Sequence, residues 1–151
     1  MTEVSRHALV PIGDVFAALT DPHPYPQWLV GCREIRGVDD GWPEVGTSFH
    51  HRVGLFGPIT VADHTKVIDV EPCRHLALEV MARPFIRARV DFVLSAGRTA
   101  ASHDTRISLS EVPIGIYAPL GGVLAAPTAA RNRVSLNALV AFLNDPANQN
   151  D

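Results

Sequence analysis

The sequence holds only two cysteines, Cys32 and Cys73. They match no zinc spacing and no CxxC pair, so neither a disulfide framework nor a thiol redox centre is expected, and both read as reduced thiols. An excess of charge of one sign is also missing. The net charge of −3 leaves no basic field for nucleic acid or anionic lipid. No stretch approaches the ~18 consecutive apolar residues of a membrane span. The first residues, Met1-Thr-Glu-Val-Ser-Arg-His7, lack the apolar core of a signal peptide. The expectation is a cytoplasmic protein without a membrane span. Internal repeats, low-complexity tracts and linkers are absent as well. What remains is globular in character, with 46% hydrophobic and 19% charged residues. A chain of 151 residues can bury one substantial core unaided. The expected organisation is a single domain, 1–145, and a flexible tail, 146–151.

The last third is the most organised stretch. A loop rich in Gly and Pro, Pro113 to Gly122, leads into a long helical pattern ending at Asn144. Leu136, Leu139, Val140 and Leu143 share one face at the i, i+3, i+4, i+7 spacing, and Arg133, Asn137 and Asn144 share another. Asn144-Asp145-Pro146 stops the helix, because a residue before proline avoids the helical region. Pro127 predicts either a kink or the start of a second segment. Leu120, Val123 and Leu124 lie on the first part among small residues (Ala125, Ala126, Ala129, Ala130). These leave room for close packing or for a pocket beneath the helix.

Before that helix, Glu3 to Val10 reads as a strand. Ile12, Val15, Phe16 and Leu19 form a short amphipathic helix. Pro22 to Val30 is a second short helical or turn segment carrying Tyr25 and Trp28. Further strands are expected at Cys32 to Val38, Thr47 to Leu55, Ile59 to Val70, Arg74 to Ala82, Phe85 to Ala96 and Ser102 to Val112. Turn signals recur between them, as in an antiparallel meander.

This order, and four groups of residues within it, resemble the START-like (SRPBCC) superfamily, in particular its polyketide cyclase/dehydrase and lipid-transport group. The groups are Val15-Phe16-x-x-Leu19-x-Asp21-Pro22-x-x-Tyr25-x-x-Trp28, Glu44-Val-Gly46-Thr47, Val67-Ile-Asp-Val70-Glu71-Pro72-x-Arg74-x-Leu76, and the long final helix. The resemblance implies an α+β helix-grip fold. In that fold a curved seven-stranded antiparallel sheet is expected to wrap around the C-terminal helix, with two short helices between strands 1 and 2 and a cavity between sheet and helix. It implies little about chemistry, because the superfamily hosts enzymes, carriers and receptors alike.

Strand alternation indicates which side chains face such a cavity. Leu76, Leu78 and Val80 share one phase, and so do Ile86, Ala88, Val90, Phe92 and Leu94. Ile107 and Leu109 point inward, which turns His103 and Thr105 inward too. In the long hairpin, keeping Arg52 and Lys66 in water sends Phe49, His51, Val53 and Leu55 inward, with Ile59, Val61, Asp63, Thr65 and Val67 facing them. Pairing Leu55 with Ile59 across Phe56-Gly57-Pro58 sets Val53 opposite Val61 and His51 opposite Asp63. Directly opposed residues stand ~5 Å apart at Cβ. A two-residue turn would instead bring His64 opposite His51. The His51–Asp63 pair reads either as a hydrogen-bonded pair near the open end of the sheet or as an acid/base pair. In the second case the carboxylate fixes the imidazole tautomer and raises its pKa. An inward proton acceptor suits deprotonation of a carbon acid, the step aldol-type cyclisation requires. His50 and His51 point to opposite faces and cannot share an ion, so no metal and no cofactor is expected. Trp28, Tyr117 (a gate at the mouth), Leu120 and Leu124 complete the candidate ligand contacts. Arg131 and Arg133 read as solvated.

Three functions follow. The first is binding of an apolar small molecule, a lipid or polyketide-like compound, in an inward apolar pocket. The second is a cyclase/dehydrase-type enzyme using His51 and Asp63. The third is a protein-interaction module of toxin–antitoxin or chaperone-activator type, with a filled core and an exposed apolar patch at Pro113–Gly122. The oligomeric state, monomer or homodimer, is left open.

Overall fold

A computed structural model of the chain describes residues 2–56, 58–82, 86–97 and 103–148, with the side chains of residues 55, 56, 82 and 86 outside that description. The elements are β1 (Thr2–Ala8), α1 (Ile12–Leu19), α2 (Tyr25–Trp28), β2 (Cys32–Val38), β3 (Ser48–Phe56), β4 (Ile59–Glu71), β5 (His75–Ala82), β6 (Ile86–Ala96), β7 (Thr105–Pro113) and α3 (Gly121–Asn144). A 3₁₀ segment, Gly115–Leu120, precedes α3, and another, Pro146–Asn148, follows it. The turns expected at Gly57, at Arg83-Pro84 and after Gly97, the inward placement of Leu55 and Ile86, and the tail beyond Asn148 lie outside the described residues.

One antiparallel sheet runs in the order β1-β7-β6-β5-β4-β3-β2. The first two strands therefore occupy opposite edges, and α1 and α2 carry the chain from one edge to the other. The α+β helix-grip architecture expected from the sequence is the architecture found. Period-two alternation drives it. On β7, Thr105, Ile107, Leu109 and Glu111 are buried while Arg106 is exposed. The inward face lies against α3, whose Leu136, Leu139 and Leu143 are almost fully buried.

Pro127 neither ends α3 nor splits it, and one helix runs from Gly121 to Asn144. A proline inside a helix costs about 3 kcal/mol, but tertiary packing supplies most helix stability, and α3 packs on β1, β7 and α2. Two asparagines of its polar face also tie it down. Asn137 Oδ1 accepts from Arg6 Nε at 2.8 Å, and Asn144 Oδ1 accepts from the backbone N–H of Leu9 at 2.8 Å.

The long hairpin pairs Val53 with Val61 and His51 with Asp63, and His64 stands opposite His50. Its tip differs from expectation. A bulge between Gly54 and Phe56 pairs Phe56, not Leu55, with Ile59, and Ile59 is exposed. A bulge absorbs one extra residue near a turn without disturbing the register below it.

Candidate functional site

Two cavities flank α3. The first, of about 310 Å³, is walled mainly by aromatic and aliphatic side chains of α2 and the sheet, with α3 contributing Arg131 and Asn132. Of the residues singled out from the sequence, Trp28, Phe49, His51, Val53, Thr65, Leu78, Val80, Val90 and Phe92 line it, joined by Tyr25, Cys32 and Leu109. The second, of about 500 Å³, lies beside the start of α3 and takes in Ala88 and Leu124 together with Pro113, Ala118, Gly121, Gly122 and Ala125. Small residues at the head of α3 thus border open space. Asp63, Val61, Thr105, Ile107, Tyr117, Leu120 and His103 line neither cavity. His103 is exposed and precedes β7, because the strand begins at Thr105 and the alternation that would turn it inward does not reach it. Thr105 is buried, with its hydroxyl donating to the Val10 carbonyl at 2.9 Å.

The aromatic wall is continuous. Tyr25 meets Trp28 at a tilt (4.6 Å between ring centroids) and Phe49 edge-on (5.1 Å), Phe49 meets His51 (5.2 Å), and Trp28 meets Phe92 edge-on (6.2 Å). Offset and edge contacts at these distances hold rings rigidly. The Tyr25 hydroxyl donates to the Leu19 carbonyl at 2.5 Å, and burial pushes its pKa up. Burial also pushes the Cys32 thiol up to about 11, so it stays protonated. The sharp entry into β2 is made by Gly31 at φ +90°, a conformation glycine adopts at little cost.

His51 is buried, and its Nε2 hydrogen-bonds the Thr65 hydroxyl at 3.0 Å. Its Nδ1 is buried without a partner, as is Trp28 Nε1. The expected imidazole–carboxylate hydrogen bond to Asp63 is therefore not made, although the two residues stand opposite in register. Asp63 instead accepts at Oδ1 from the backbone N–H of His64 at 2.8 Å. The expected rise in the His51 pKa is reversed too. Burial lowers it, the Asp63 charge pulls it up, and Arg36, His64 and His50 add to the lowering. An adjacent carboxylate raises an imidazole strongly only when desolvation does not outweigh it. Arg36 is fixed nearby, donating from Nε to the His51 carbonyl at 3.3 Å and from Nη2 to the Asp63 carbonyl at 3.2 Å.

A polar cluster crosses from sheet to helix. Glu111, on β7, is buried. Arg131 Nη2 donates to its two oxygens at 2.6 and 2.5 Å, and Asn132 Nδ2 donates to Oε2 at 3.1 Å. Arg131 is thus engaged in a half-buried ion pair and does not lie on a wholly solvated face, whereas Arg133 is exposed. The signal for Glu111 was available: the phase of Thr105, Ile107 and Leu109 continues to it. Asn132 likewise shares the Leu136 and Leu139 face. Among the described residues, no His, Cys, Asp or Glu group could hold a metal ion, and no helix is long and apolar enough to cross a membrane.

No family model matches the chain, and no curated protein does. Solved structures resemble it closely in shape and little in sequence. The Zhui aromatase/cyclase from a Streptomyces species superposes with a TM-score of 0.68 at 14% identity, over 93% of this chain and 90% of its own. A protein of the dynemicin biosynthetic locus gives 0.66 at 20%, over 94% of this chain and 46% of its own. A Staphylococcus aureus protein of unknown function gives 0.69 at 8%, over 98% and 96%. At such identities the likeness speaks for the fold alone.

Proposed function

Starting from a chain with the helix-grip fold of the START-like superfamily, we propose that it binds a hydrophobic small molecule, a lipid or polyketide-like ring compound, between the sheet and α3. One observation carries this reading: a cavity of about 310 Å³ persists among large side chains such as Phe49 and Phe92 that do not fill it. Ligand pockets span ~300–1,000 Å³ and combine apolar walls with a few polar groups. Here the polar side chains in the lining include His51 and Thr65. The test is native mass spectrometry of freshly purified protein with organic extraction, alongside binding of the apolar dye ANS. A co-purifying compound of a few hundred daltons, or saturable ANS binding quenched by apolar ring compounds, is the expected result. A bare mass together with no ANS binding would sink the proposal.

A second reading, a cyclase/dehydrase-type enzyme, is favoured by His51 itself. Burial keeps its imidazole in the neutral form at neutral pH, so it is able to take a proton from a carbon acid, with Asp63 nearby to stabilise the imidazolium. An aromatase/cyclase with the same fold adds support. His51→Ala separates the readings. An enzyme loses turnover by ~10²–10⁴-fold, while a carrier loses affinity only a few-fold. The interaction-module reading requires a filled core, which the aromatic cavity argues against.

A further inference from the structure

Among the described residues, only Glu111 and Arg131 line both cavities. The geometry points to this ion pair as a bar across one binding space, limiting how long a bound molecule can be. The inference rests on the aromatic cavity being the ligand site. Glu111 projects from the sheet and Arg131 from α3, so the pair spans the gap that a ligand tail would have to cross. The bar is held firmly on one side, because the carboxylate, 8% exposed, is bonded by both Arg131 and Asn132. Charge-assisted bonds of this kind are among the strongest a side chain makes. On the other side it can yield. The Arg131 side chain is 40% exposed and sits on a flexible stem, and Asn132 would still hold the carboxylate if it swung away. Beyond the bar lie Ala88, Pro113, Leu124 and Ala125, an apolar surface suited to an alkyl or isoprenoid tail. The pair is therefore a specificity determinant for ligand length.

Displacement of ANS by neutral n-alkanols of increasing length tests this. Each buried methylene is worth about a fourfold gain in affinity. In the wild-type protein that gain should stop at the length that fills the aromatic cavity. In the double variant Glu111→Ala/Arg131→Ala, which removes both charges together, the gain should continue through longer alkanols. Glu111→Gln keeps the shape of the carboxyl and loses its charge. It should give an intermediate cut-off, and it carries the test if the double variant does not fold. Identical cut-offs in wild type and variants would overturn the bar while leaving the cavity reading intact. Absence of both ANS binding and alkanol binding in the wild type would overturn the two together.

Discussion

His51 contributes to how the molecule meets acid. Burial holds its pKa below the ordinary value of 6.5 in the folded chain, and unfolding restores that value. Between the two values the unfolded state binds more protons, so stability rises with pH there. The His51 contribution is fully present above the unfolded pKa and is lost as pH falls toward the folded one. Asp91 acts in the same direction further down. Burial raises its pKa, but hydrogen bonds from Arg89 and His75 carry it below the ordinary 3.8, so its contribution is lost only as pH falls below that value. The melting temperature should therefore drop as pH falls below about 6.5, and His51→Gln should flatten that part of the profile. Calorimetry of both proteins across the range checks it, and a parallel drop in the variant would show that His51 is not the titrating group. A second residue-scale expectation concerns the thiols. Cys32, buried and with its pKa pushed up to about 11, should react far more slowly with a disulfide reagent at mildly alkaline pH than Cys73, which is partly exposed. The thiolate is the attacking species. Mass mapping of the first-labelled cysteine decides the order.

Among the elements, α3 depends on one face. Leu139 is 0% exposed and Val134, five residues earlier, is 58% exposed. Leu139→Ala should cost about 2–5 kcal/mol, since it removes transfer free energy and leaves a cavity. Val134→Ala should fall within about 0.5 kcal/mol of wild type. Urea denaturation of the pair measures both. Equal effects would mean that the helix is not gripped by the sheet along this face. The head of the same helix behaves differently. Its Ala- and Gly-rich stretch borders open space, and Ile116 and Val123 stand exposed beside it. Its packing is loosest where the second cavity lies.

For the whole molecule, an occupied cavity must raise stability by mass action. A ligand at one hundred times its dissociation constant adds about 2.7 kcal/mol. Thermal melts with increasing ANS or an apolar ring compound should therefore shift upward in a saturable way. A melt that does not move at saturating ligand would show equal affinity for folded and unfolded chains, as expected for surface adsorption.

Much of this arrangement was legible beforehand, for definite reasons. A two-residue side-chain period, with Arg52 and Lys66 kept in water, leaves few registers, so the inward set on β5, β6 and β7 and the His51–Asp63 juxtaposition could be read, although the turn above that pair closes on Phe56 and not on Leu55. The i, i+3, i+4, i+7 spacing likewise identified the buried face of α3. Tertiary structure decided the rest. Whether His51 bonds Asp63 or Thr65, and whether its pKa rises or falls, depends on side-chain rotamers and on burial from several elements at once. Alternation could have placed Glu111 inward, but its partners Arg131 and Asn132 come from a helix on the far side of the gap, and no local period links them. The sequence by itself determined the elements, their order and, away from strand ends such as Ile59 and His103, their inner faces, because those are set by steric and hydrophobic periods along the chain. The polar contacts and the open space were decided only in three dimensions, because they depend on how surfaces from distant segments meet.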